Sequence, residues 1–100
     1  MNKELLTIGT VVQLKNANHA IMIIGFFPQA KERIENKVYD YLGCHFPEGL
    51  EDTTKSLVFN EDDIDKILHV SYSDNLDKAF RKQLLLDKAK IIQEVEEIHE

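Results

Sequence analysis

Cys44 and His45 are adjacent, and a thiol beside an imidazole is the pairing that nucleophilic catalysis uses, the ring nitrogen taking the thiol proton. Neighbours on a strand point to opposite faces, so these two can meet only where the backbone bends between them. The competing reading is a buried thiol with a surface imidazole. His19, His45, His69, His99 and Cys44 are the donor types of a metal site, yet they are scattered, without the C-x-x-C or H-x-x-x-H spacing that converges on zinc. Asn60-Glu61-Asp62-Asp63-Ile64-Asp65 looks superficially like a calcium loop, but it lacks the Gly at the loop's sixth position and the Glu at its twelfth. Capping of a short helix explains that run better. With four Gly and no G-x-x-x-x-G-K or G-x-S-x-G run, a phosphate-cradling loop or nucleophile elbow is not available. No cofactor, metal or catalytic group follows from these residues, and the expectation is a protein that is not an enzyme.

Recognition is the other chemistry the chain can do. Tyr39, Tyr41, His45 and Phe46 form its one aromatic-rich cluster, and aromatic side chains of that kind either anchor a partner or fill a core. Around them, Pro47-Glu48-Gly49 reads as a turn, with Gly49 free to adopt positive φ.

The elements that must position this cluster read as strands. Thr10–Leu14 is rich in β-branched residues and follows an opening turn at Gly9. Ala20–Phe27 is an almost continuous apolar run, which marks a central strand buried on both faces or one curling round a barrel, with Gly25 as its bend. Pro28 ends that strand, and the charged stretch from Gln29 to Asn36 reads as a surface excursion. Lys37–Gly43 then gives a third strand with Tyr39 and Tyr41 on one face, and Ser56–Phe59 a fourth. Asn60 is placed to cap one or two helical turns whose Ile64, Ile67 and Leu68 face the core, and His69–Tyr72 alternates as a fifth strand.

From Asp74 to His99 the period becomes helical. Leu76, Phe80, Leu84, Ile91, Val95 and Ile98 fall within about 100° at 100° per residue, and Leu85, Ala89 and Ile92 make a second stripe. As one helix these residues would span about 39 Å, longer than the roughly 25 Å domain before them. Either a partner chain covers the stripe, with a homodimer through this helix as one arrangement, or the helix packs along the barrel and frays after Ile92. The fold class is thus α+β: a small five-stranded, mainly antiparallel, SH3-like or partly open barrel over residues 1–73, a short helix before its last strand, and a long amphipathic helix over 74–100.

One hundred residues with 43% apolar content suffice for one small core. The net charge of -6 lies wholly in residues 51–100, and no basic patch with interleaved aromatics offers itself to phosphates, so nucleic acid is not an expected partner. No apolar run approaches 18 residues, and Met1-Asn2-Lys3-Glu4 does not open a secretory signal. A cytoplasmic protein without membrane insertion is expected.

Taken together, Ile8-Gly9-Thr10-Val11-Val12 with Leu14-Lys15, Met22-Ile23-Ile24-Gly25, Tyr39-Asp40-Tyr41 with Gly43-Cys44, Pro47-Glu48-Gly49, and Phe59-Asn60 with Asp63-Ile64 resemble a family of small proteins of unknown function from Gram-positive bacteria. Members are often encoded in type VII (WXG/LXG toxin) secretion gene clusters. The resemblance covers about residues 8 to 73 and leaves out the C-terminal helix. It implies a non-enzymatic cytoplasmic adaptor or chaperone that holds an LXG-type toxin, or its small helical partners, for delivery to the secretion machine. It carries no catalytic residues. An immunity protein that binds a toxin's catalytic domain, and a thiol enzyme using Cys44, are the alternatives. For the adaptor, the candidate contacts are Tyr39, Tyr41, His45 and Phe46 on the barrel and Leu76, Phe80, Leu84, Ile91 and Val95 on the helix.

Overall fold

A computed structural model describes residues 4–28 and 38–98, with side chains through Lys88. Five strands form one antiparallel sheet in the order β4-β3-β2-β1-β5: β1 Val11–Leu14, β2 Ala20–Phe26, β3 Tyr41–His45, β4 Leu57–Phe59 and β5 Ile64–His69. The sheet does not close, since β4 and β5 are its two edges. Among the described residues one α-helix, α1 (Asn75–Ile98), follows.

The apolar run of β2 takes the middle of the sheet, where Ile21 and Ile23 are buried. A register shift against β3 between Ile23 and Gly25 supplies the irregularity expected at that glycine. Val12, Ile21, Ile23, Tyr41 and Phe59 form the core with Leu5 and Phe27. Leu84 and Leu85 of α1 pack against it.

Three element boundaries differ from the sequence reading. The third strand was expected over Lys37–Gly43, but β3 starts at Tyr41 and runs through Cys44 to His45. Lys37, like the excursion from Gln29 to Asn36, lies outside the described residues, and before β3 the chain is held by Phe27 N–H on the Asp40 carbonyl and Tyr39 N–H on the Pro28 carbonyl. The helix expected after Asn60 is a single 3-10 turn, Glu61–Asp63. The Asn60 side-chain oxygen accepts the Asp40 N–H at 3.0 Å, and the turn is closed from the other side by the Asp63 carboxylate, which accepts the Asn60 N–H at 2.8 Å. Ile64, Ile67 and Leu68, expected on that helix, belong to β5, where Ile64 lies opposite Leu14 and Ile67 opposite Val12. The fifth strand therefore precedes the expected His69–Tyr72, and Val70 and Tyr72 are exposed.

Helix α1 does begin where its period does. The Asp74 carboxylate accepts the Asp77 N–H at 2.8 Å, closing the first turn. The helix is tied to the sheet at two points. Lys88 Nζ lies 2.8 Å from Asp40 Oδ1, and the buried Arg81 donates to the Leu5 carbonyl.

Candidate functional site

The aromatic cluster of the β3 region does not assemble as one surface. Tyr41 is fully buried, so of the four candidates it is core and not contact. Its ring packs 5.4 Å from that of Phe59 and 6.2 Å from that of Phe26, and its hydroxyl accepts the Leu6 N–H and donates to Glu61 Oε1. Burial above all, and then the Glu61 carboxylate, push its phenol well above the usual tyrosine range. Tyr39 lies before the strand and is half-buried. His45 is half-buried and Phe46 exposed, at the far end of β3. The His45 ring meets that of His19 at 4.5 Å between centroids, and His19 Nε2 is 2.9 Å from Glu48 Oε1, a bond that lowers the Glu48 carboxyl below its ordinary range.

Cys44 is 1% exposed and faces away from its neighbour His45. Burial pushes its thiol up, which disfavours the thiolate that a nucleophile needs. Gly43 sits mid-strand, where the space a side chain would need is filled: a Cβ there would stand 2.6 Å from Ile21 Cγ2 and 2.9 Å from Phe59 Cε1. The Pro47-Glu48-Gly49 turn forms as read, with Gly49 at φ 76° and a cis peptide between Phe46 and Pro47. Among the described residues, no group of three or more His, Cys, Asp or Glu could hold a metal ion. Nor is any helix there long and apolar enough to cross a membrane.

The helix stripe is divided by what covers it. Leu84 packs on the core, whereas Leu76 is 82% and Phe80 56% exposed. Phe80 keeps one ring contact, 6.2 Å from Phe26 at the end of β2. The side chains of Ile91 and Val95 lie outside the described residues. The face turned to the domain is carried by Asp77, Arg81, Leu84, Leu85 and Lys88, so its centre is a charged residue that apolar periodicity could not reveal. Arg81 bridges to Asp77 at 2.9 Å and to Ser73 Oγ at 3.2 Å. Asp77 also accepts the Ser73 hydroxyl, and the bonds from Arg81 first and Ser73 second hold its carboxyl below its ordinary range.

The polar ties between helix and sheet were equally hidden in the sequence. Asp40 accepts Lys88 on one carboxylate oxygen and the Glu61 N–H on the other, at 2.8 Å each. The Lys88 ammonium also stands 5.6 Å above the Phe27 ring. The only advance signal was the unusual position of Asp40 between two tyrosines.

A family model described as a domain of unknown function (DUF4176) matches residues 5–80. The match takes in the whole sheet and the first turn and a half of α1, and so extends past the stretch that carried the resemblance. No curated protein and no solved structure gives a significant match.

Proposed function

The chain belongs to the DUF4176 family, a domain of unknown function, and from that premise we propose that it is a non-enzymatic cytoplasmic adaptor or targeting chaperone. Its client would be a type VII secreted LXG-type toxin, or that toxin's small helical partners. The observation that carries this reading is the exposed apolar pair Leu76 and Phe80, one turn apart on α1, beside the exposed Val70 and Tyr72 that lead into the helix. Apolar side chains at i and i+4 on an uncovered flank suit a helix laid against them. We further read the open sheet as an SH3-like, partly open barrel. Its support is the position of β5 beside β1 and the 3-10 turn between β4 and β5.

The reading is tested by co-expressing the protein with the toxin encoded beside it. Co-purification with the helical N-terminal region of that toxin is expected, and the double variant L76S/F80S should lose the complex. Phe80 also meets Phe26, so the single variant L76S, at the more exposed position, is the stability control and should melt within about 0.5 kcal/mol of the parent. Absence of any complex with neighbouring gene products would overturn the reading. Protection of cells against the toxin's catalytic domain would replace it with the immunity role.

A further inference from the structure

The fold sets side by side two imidazoles that are remote in sequence. His19 ends the turn that leads into β2, and His45 is the last residue of β3. Ile21 and His45 lie opposite each other in the register, and the Phe46 N–H donates to the Ala20 carbonyl at 2.9 Å, so the backbone fixes where both rings start. Their centroids are 4.5 Å apart, with the ring planes inclined at 56°. His19 Nε2 is 2.9 Å from Glu48 Oε1, and both of those side chains are nearly half exposed. A carboxylate only accepts, so in the neutral ring His19 Nε2 carries the proton and Nδ1 is the lone-pair nitrogen. A carboxylate bonded to one ring nitrogen, with the other nitrogen left to ligate, is the outer shell of metal-bound imidazole.

We propose that His19 and His45 form a two-nitrogen site for a divalent transition-metal ion, with Glu48 as the outer carboxylate that orients His19. Two imidazoles on one ion, each nitrogen about 2.1 Å from it, have ring centroids about 4.5 to 5.5 Å apart. The observed spacing falls in that range, so an ion needs rotation of the rings and no movement of the strands. Imidazole nitrogen selects the nickel, copper and zinc class, whereas magnesium and calcium take oxygen ligands. Among the described residues no group of three or more His, Cys, Asp or Glu could hold an ion, so water completes the coordination of this pair. The ion is therefore exchangeable, unlike a resident zinc with three or four protein ligands. It ties the turn before β2 to the Pro47 turn, and an ion held by the folded chain alone stabilises the fold. The proposal is independent of the adaptor reading.

Isothermal titration of the full chain with nickel chloride tests this. One Ni(II) should bind per chain, and magnesium chloride should give no binding. H19A and H45Q should each weaken Ni(II) binding at least about 10-fold, and E48Q about 10-fold. H69A and H99A control for binding at the two remaining histidines and should leave the affinity unchanged. Saturating Ni(II) should raise the melting temperature of the parent and leave that of H19A where it is. The His19 side chain is 47% exposed, so H19A keeps the fold and reads the site alone. No Ni(II) binding, binding that survives H19A or H45Q, or binding lost in H69A or H99A overturns the site. Unchanged affinity in E48Q removes Glu48 from it.

Discussion

The hydroxyl of Tyr41 lies 2.6 Å from Glu61 Oε1, to which it donates, and accepts the Leu6 N–H at 2.9 Å. One oxygen thereby joins the segment before β1, the third strand and the 3-10 turn before β5.

Y41F keeps the ring but strands the Leu6 N–H, and should cost about 1–3 kcal/mol in urea unfolding. The phenol also sets an alkaline limit. Its folded pKa is raised, so stability is intact below the ordinary tyrosine value of about 10 and is lost as pH rises above it, because the unfolded phenol gives up its proton first. In Y39F/Y72F, which leaves Tyr41 as the one tyrosine, ultraviolet titration should show the phenolate forming only together with loss of the fold. A phenolate that appears in that folded variant near pH 10 would contradict this.

Arg81 is the polar centre of the helix face that meets the domain. R81A leaves Asp77 and the Leu5 carbonyl without their partner, and should destabilise by about 3 kcal/mol. Asp77 has a lowered folded pKa, so its contribution is present above about pH 4 and disappears as pH falls through the folded value. D77N should therefore flatten the acid limb of the stability profile. An unchanged limb would assign acid unfolding to other carboxylates.

Gly43 and Gly49 should respond differently to alanine. At Gly43 the new methyl meets Ile21 and Phe59 inside the sheet, an overpacking cost of about 1–3 kcal/mol. At Gly49 nothing lies within 4 Å, and only the φ of 76° opposes a side chain, which costs roughly 1 kcal/mol. Chemical denaturation of the two variants checks the order.

Cys44 should resist alkylation in the native protein and react at the rate of a free thiol in denaturant, since burial both covers it and raises its pKa. Rapid native labelling would reopen the thiol reading. C44S should bind any client as the parent does.

How far the sequence carried can be judged at particular residues. The β2 run and the bend at Gly25, the Gly49 turn, the burial of Cys44 and the onset of the helix at Asp74 were legible, because each depends on local period or on one residue's backbone chemistry. The exchange of helix for strand after Asn60 was not. Ile64 and Ile67 pair with Leu14 and Val12 of β1, about fifty positions away, and no local propensity encodes that partner. Tyr41 was likewise ambiguous between anchor and core, since an aromatic side chain serves either and the neighbours that bury it are distant in sequence.

By itself, then, the sequence determined the α+β class, the antiparallel strands, the acidic balance and the apolar stripe of the helix, all of which follow from composition and from periods of about 2 and 3.6 residues. The tertiary structure decided which part of that stripe is spent on the core and which stays exposed. Leu84 and Leu76 have the same apolar character and lie on one helical stripe. Only the placing of α1 by the Arg81 contact with Leu5 and the Lys88 contact with Asp40 turns Leu84 inward and leaves Leu76 in solvent.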